Sequence, residues 1–267
     1  MKNISILGCG WLGLPLAKSL VIKGFSVKGS TTSSEKISLL QNAGIDAFQI
    51  ALSEEGISGD IGSFLSDSEI LIIDIPPKLR GNSPENFVAK IQHLISVVEN
   101  VGIQKILFVS STSVYADDNS VITEETKPQP DSESGKQLWK TEQLLQNNPN
   151  FKTNVIRFGG LIGEDRHPIR FLAGRQHLEN PNGPINLIHQ TDCISIIESI
   201  IEHDCFGETF NAVAPFHPTR KNYYTQKAIA LGLALPEFDE NNPSVGKTIL
   251  SDKIENVLGY EFQNKTL

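Results

Sequence analysis

Gly8, Gly10 and Gly13 follow an apolar run at 4–7 and precede an amphipathic segment, and no other feature restricts so narrowly what the chain can fold into. Glycines at this spacing are weak evidence alone, but between a strand and a helix they describe a turn built to meet a phosphate. The first permits the tight turn, the second lets backbone approach a pyrophosphate, and the third allows close helix–sheet contact. Trp11 and Leu12 stand between the last two glycines, where the first N–H groups of a helix lack intrahelical acceptors and are offered to an anion. Pro15 in the first turn and Gly24 just past the end punctuate that helix.

The rest of the chain repeats the same alternation. Strands are expected at 25–28, 45–51, 70–75, 106–109 and 154–158, separated by amphipathic segments, which is the pattern of a parallel sheet covered by helices on both faces. The run at 70–75 stops at Pro76 and Pro77. Phe87, Ile91, Leu94, Ile95 and Val98 then recur at helical spacing, with Ser83 and Pro84 as the expected N-cap and first helical residue. Residues 110–134 are polar and turn-rich, longer than a plain connection, and read as a functional or mobile loop. A helix carrying Leu138, Leu144 and Leu145 follows. Beyond Gly163 the regularity fades, leaving a helix with Ile194, Ile197 and Ile201, a short strand near 209–211, and a helix ending near Gly232.

Acidic residues outnumber basic ones by 31 to 23 in this chain of 267 residues, a formal charge of −8. That balance disfavours a general grip on nucleic acid or an anionic membrane, so a small-molecule substrate is the expected partner. Cys9, Cys193 and Cys205 are too few and scattered for a disulfide framework, and none has metal-ligand spacing; reduced core thiols and no metal are expected. Three glycines and a proline interrupt the apolar start, against a signal peptide, and no stretch approaches the roughly 20 apolar residues of a membrane span. A soluble, cytoplasmic protein is expected.

Dinucleotide sites commonly carry an acidic residue about 20 positions after the glycine turn, where it accepts from the ribose hydroxyls of NAD. Here the corresponding stretch runs Lys28, Gly29, Ser30, Thr31, Thr32, Ser33, Ser34, with no carboxylate before Glu35. Hydroxyls and backbone N–H groups with Lys28 or Lys36 beside them suit a 2′-phosphate, which a carboxylate would repel. NADP is therefore favoured over NAD, with Ser30, Thr31, Thr32 and Lys36 as its adenosine-side contacts. Ile75, Pro76 and Ser110, at the carboxyl ends of the fourth and fifth strands, are expected at the same edge, and Asp74 is either a turn residue or a charge near the nicotinamide.

Ser110, Ser111, Thr112, Ser113, Val114 and Tyr115 close the fifth strand. With GCGWLG at 8–13, LFVSSTSVYAD at 107–117, TEETKPQP at 123–130, VIRFGGLIGEDR at 155–166, INLIHQTD at 185–192 and FNAVAPFHPTR at 210–220, the chain resembles the NAD(P)-dependent epimerase/dehydratase family, the extended or atypical branch of the short-chain dehydrogenase/reductase superfamily. The resemblance covers nearly the whole chain. It implies an α/β, Rossmann-type doubly wound parallel sheet binding a dinucleotide over 1–160. It also implies a smaller, partly interleaved substrate region over 161–267, and a homodimer through the fourth and fifth helices is common in that superfamily.

The resemblance also assigns roles. Ser111, with Thr112, takes the position that orients a substrate hydroxyl or carbonyl, and Tyr115 is the best-placed phenol. The same alignment puts Ser134 where the family has its acid/base Tyr and Leu138 where it has the Lys that lowers that phenol's pKa. Lowering a phenol from about 10 to about 7 takes roughly 4 kcal/mol, which Leu138 cannot supply. The one YxxxK, Tyr223 to Lys227, falls after the sheet strands and reads as chance; Lys136 and Lys140 point away from the required helix face. Arg157, Gly160, Arg166 and His189 are the substrate-side candidates, with a buried structural cation as the alternative for Arg157 and an architectural ring for His189. Asp192 reads as a helix N-cap. The expected activity is that of an oxidoreductase or epimerase on a nucleotide-sugar-like or other small polar substrate. Loss of the Tyr and Lys leaves open a catalytically silent dinucleotide-binding sensor or regulatory protein.

Overall fold

The computed structural model describes residues 2–77 and 85–267. In chain order the elements are β1 (Asn3–Leu7), α1 (Gly13–Ile22), β2 (Ser26–Thr31), α2 (Ile37–Asn42), β3 (Asp46–Gln49), β4 (Ala51–Leu52), β5 (Ile57–Ser58), α3 (Ile61–Leu65), β6 (Ile70–Ile73) and α4 (Phe87–Val101). There follow β7 (Lys105–Ser111), a 3-10 turn (Thr112–Val114), β8 (Val121–Ile122), α5 (Glu133–Gln146), β9 (Lys152–Phe158), β10 (Gly160–Ile162), α6 (Ile169–Leu172) and β11 (Leu187–His189). The last are α7 (Gln190–Glu202), β12 (Thr209–Ala212), α8 (Arg220–Ala230), β13 (Thr248–Ile249) and α9 (Asp252–Leu258).

Seven strands form one parallel sheet in the order β12-β9-β7-β6-β1-β2-β3, so the order reverses between β1 and β6, where the crevice of a doubly wound sheet opens. This is the expected Rossmann-type α/β architecture. β6 is Ile-Leu-Ile-Ile and wholly buried, as a central parallel strand covered on both faces must be. One core lies between the sheet and α1, α7 and α9, with Leu16, Leu20, Ile196 and Ile200 fully buried; the other lies under α4 and α5, with Phe87, Ile91, Leu94, Val98 and Leu145. A third, smaller cluster holds Ile169, Ile185, Leu187, Tyr223 and Tyr224. No helix among the described residues is long and apolar enough to cross a membrane.

Several boundaries differ from the sequence reading. The third strand ends at Gln49, and Ala51–Leu52 folds back antiparallel on Ile57–Ser58, through a turn in which Gly56 takes φ +150°. The expected cap Ser83 and Pro84 lie outside the described residues; Asn86 caps α4, its side chain accepting from the Ala89 N–H at 3.1 Å. β8, inside the polar loop, pairs in parallel with β13 from the far end of the chain. β12 joins the large sheet at its edge beside β9, so C-terminal sequence completes the sheet begun by the N-terminal part.

One contact between layers bears directly on the site. Gly135, buried in the first turn of α5, lies so close to the 3-10 turn that a Cβ there would stand 2.2 Å from the Ser113 carbonyl oxygen. Alanine is the better helix former by about 1 kcal/mol, yet Gly135→Ala is expected to lower the thermal midpoint, because a backbone atom cannot step aside cheaply. A midpoint at or above wild type would show that α5 does not press on the 3-10 turn in this way.

Candidate functional site

The glycine turn is closed by backbone against backbone. Gly8 has φ +108°, and a Cβ on it would lie 2.2 Å from the Asp74 carbonyl oxygen; one on Gly13 would lie 2.2 Å from the Gly8 carbonyl oxygen. Gly10 faces open space, with nothing within 4 Å of where its Cβ would be. The Gly8 N–H donates to Ser30 Oγ at 3.0 Å and the Cys9 N–H to the Ser30 carbonyl at 2.7 Å, which ties the turn to β2. Among the described residues no acceptor faces the N–H groups of Trp11 and Leu12, and the Leu12 side chain is locked in the core. Two amides without an acceptor at the start of α1 thus stand beside an open glycine, a cradle of the kind a helix N-terminus offers an anion.

That cradle opens into a cleft of about 190 Å³. Gly8, Gly10, Ser30, Thr31, Thr32, Lys36, Ile75 and Pro76, all singled out in the sequence, line it together. Ile50, Leu52, Phe87 and Lys90 also line it; they come from the β4 hairpin and α4, and no local motif marks them. Lys90 is buried and paired with Glu85. Lys28 does not reach the cleft, because its ammonium donates to the Ser63 and Ser66 carbonyls at 2.7 and 2.8 Å and to Ser66 Oγ at 2.9 Å at the end of α3. Lys36 is thus the exposed cation beside the three hydroxyl residues. Asp74 sits on the floor, Oδ2 3.0 Å from where a Gly13 Cβ would be. Desolvation there pushes its carboxyl up to about 7, with the Gly13 N–H drawing it part of the way back. Burial also lifts the Cys9 thiol to about 12, with the Asp74 charge adding to the effect, so this cysteine is no thiolate.

Ser110, Tyr115 and Arg157 come together in a different place, the interior. Arg157 is buried and forks onto Glu142, Nη2 to Oε2 at 2.6 Å and Nε at 3.1 and 3.2 Å from the two oxygens; its Nη1 donates to the Tyr115 hydroxyl at 2.5 Å. Ser110 Oγ donates to Glu142 Oε1 at 2.5 Å, and the Tyr115 hydroxyl donates to Asn211 Oδ1 at 3.0 Å. Both charges are compensated, and breaking such a pair from one side costs about 3–5 kcal/mol. Arg157 is the structural cation of its two readings. Burial raises the Tyr115 phenol pKa, against the opposing pull of Arg157, so this hydroxyl is a hydrogen-bonded core group and a poor proton donor to substrate. Ser110 is likewise committed to the ion pair.

Ser111 and Thr112 stand at the carboxyl end of β7. Ser111 Oγ accepts from the Ser113 N–H at 3.2 Å and keeps its own proton to donate, while Thr112 is buried in the 3-10 turn. Ser134 is half-buried on α5. Leu138 is core, and Lys136 and Lys140 are exposed.

Trp11 carries the glycine turn outward. Its indole N–H donates to Asp165 Oδ1 at 2.9 Å, the Arg166 guanidinium lies 4.9 Å above its ring, and its carbonyl accepts from Gln190 Nε2 at 2.7 Å. Gly160, in β10, packs so closely on β11 that a Cβ would meet Leu187 Cδ2 at 2.6 Å. His189 caps α7, its Nδ1 accepting from the Thr191 N–H at 3.3 Å. Asp192 is not the cap. Fully buried, it accepts from Tyr260 Oη at 2.6 Å and from the Gln263 and Asn264 N–H groups at 2.7 and 3.2 Å, so it pins the C-terminal segment. The YxxxK tyrosine, Tyr223, is buried with its hydroxyl 2.9 Å from His167 Nε2, in the third core cluster.

Sheet order and glycine turn together define a Rossmann-type α/β protein with a hydroxyl-lined cleft at the strand reversal. The chain belongs to the family of Protein YeeZ of Escherichia coli (strain K12), to which it is 36% identical over 266 residues, covering 98% of this chain and 96% of that protein. No family model matches. Its fold is shared with a functionally unknown conserved protein from Silicibacter pomeroyi DSS, at a TM-score of 0.80, 20% identity and 100% and 95% of the two chains. It is shared too with the UDP-glucuronic acid 4-epimerase from Bacillus cereus in complex with UDP-glucuronic acid and NAD, at a TM-score of 0.79, 16% identity and 98% and 94% coverage.

The raised carboxyl of Asp74 has a consequence for stability. Between about pH 4 and pH 7 the folded chain holds a proton that the unfolded chain has released, so this group's stabilising contribution is whole at the acid end and is lost as pH rises through about 7. Asp74→Asn keeps the shape and removes the titration. Denaturation midpoints measured at pH 5 and pH 8 are expected to show wild type losing more stability than the variant; parallel losses would contradict this.

Proposed function

We propose that the chain is a dinucleotide-dependent oxidoreductase or epimerase that prefers NADP to NAD and acts on a nucleotide-sugar-like or other small polar substrate. The observation that carries the reading is the cleft and the turn beside it: open space at Gly10, Ser30, Thr31, Thr32 and Lys36 along the β2 side with no carboxylate among those four, and, next to Gly10, the Trp11 and Leu12 amides without an acceptor among the described residues. Gly8 and Gly13 let the turn close because side chains there would meet backbone, Gly10 leaves open space for a diphosphate, and Lys36 with the hydroxyls suits a 2′-phosphate. When bound, the nicotinamide supplies the hydride chemistry. Ser111, which retains a proton to give, orients the reacting oxygen, and Thr112 shapes the turn that presents it.

A second reading, a cofactor-bound sensor without turnover, is favoured by the core placement of Leu138 and by the Arg157 and Asn211 bonds that occupy the Tyr115 hydroxyl. Fluorescence titration with NADPH and NADH separates these claims. NADPH is expected to bind more tightly, and Lys36→Ala to weaken NADPH about tenfold while leaving NADH unchanged. Tighter NADH binding would overturn the NADP preference, and no binding of either would overturn the reading. NADPH consumption with a panel of keto-sugars, or epimerisation of nucleotide sugars without net cofactor consumption, lost in Ser111→Ala, is the enzyme outcome; tight binding with neither reaction is the sensor outcome.

A further inference from the structure

Trp11 ties the cradle to a turn that the glycine motif does not include. Residues 163–166 form a tight turn, the Gly163 N–H donating to the Arg166 carbonyl at 2.8 Å and the Arg166 N–H to the Gly163 carbonyl at 3.2 Å. The turn rests on the indole: a Cβ on Gly163 would lie 2.9 Å from Trp11 Cζ2, so glycine is what lets the two approach. Two interactions then fix the ring, the indole N–H on Asp165 and the Arg166 guanidinium over its face, while the Gln190 amide donates to the Trp11 backbone carbonyl. Arg166 is exposed, and its neighbouring carboxylate, Asp165, is occupied by the indole. Glu164 is the other acid of the turn and is exposed.

We infer that Trp11 is a positioning residue and Arg166 a ligand for the dinucleotide diphosphate, the indole and Asp165 forming a latch that holds this cation beside the cradle. The chemistry is that of a divided anion site. The Trp11 and Leu12 amides give directional hydrogen bonds but only partial charge, and a diphosphate leaving water needs a full cation as well. Arg166 is moved by this inference from the substrate side to the cofactor side. A planar guanidinium on an aromatic face keeps its edge donors free, as stacking occupies only the face. The inference rests on the proposed binding of a dinucleotide in the glycine cleft.

Isothermal titration of the full chain with NADPH, at several salt concentrations, tests it. Arg166→Gln is expected to bind NADPH about tenfold more weakly and with a shallower salt dependence, since one screened charge is gone. Trp11→Phe and Asp165→Ala break the same hydrogen bond from its two ends, so each is expected to weaken NADPH several-fold and the double variant to do no worse than either single one. Asp165→Asn keeps the acceptor and removes a negative charge, and is expected to bind at least as tightly as wild type. Thermal midpoints of Arg166→Gln and wild type should agree, since the side chain is exposed. Arg166→Gln and Trp11→Phe binding NADPH like wild type, with the same salt slope, would overturn the latch while leaving the cleft reading standing. Wild type failing to bind would overturn both.

Discussion

At the centre of this molecule two stretches of backbone come closer than any side chain would allow. A Cβ at Gly8 would stand 2.2 Å from the Asp74 carbonyl oxygen, and one at Gly13 equally close to the Gly8 carbonyl oxygen. Because both positions are bare, β1 can turn into α1 against the end of β6, and the helix begins at the reversal point of the sheet. The cleft, the raised carboxyl of Asp74 and the docking of β2 through Ser30 all depend on that approach. Isolated glycines lower the stability of regular elements; here they are retained where only a missing side chain permits the geometry.

The other organising interaction is the buried Glu142–Arg157 pair. It joins α5 to β9, draws in Ser110 from β7 and Tyr115 from the following loop, and reaches β12 through Asn211. Four elements at the carboxyl end of the sheet are thereby held by one charge-assisted network. Two buried charges gain little net stability over apolar packing, but they penalise any arrangement that separates them. The network fixes the carboxyl ends of β7, β9 and β12 beside Ser111, and it occupies the hydroxyls of Tyr115 and Ser110.

Much of this was legible in the sequence where the signal is local. The glycine spacing, the apolar runs of β1, β6 and β7, and the row of hydroxyls after β2 each rest on residues close together in the chain, and the structure gathers Gly8, Gly10, Ser30, Thr31, Thr32 and Lys36 around one cleft. What sequence could not supply are partners distant along the chain. Lys28 and Lys36 look equivalent until α3 claims the first; Asp192 looks like a cap until the C-terminal segment folds back on it; Lys90 and Phe87 enter the cleft only because α4 packs there. The β4–β5 hairpin was hidden because two residues per strand carry no periodicity, and the latch between Trp11 and Asp165 spans 154 positions.

A crystal structure of the protein grown with NADPH addresses the central claim most directly. The account predicts density in the glycine cleft, the diphosphate against the Trp11 and Leu12 amides and the adenosine phosphate near Thr31, Thr32 and Lys36. A saturated crystal with that cleft empty, or with the dinucleotide seated elsewhere on the chain, would contradict it.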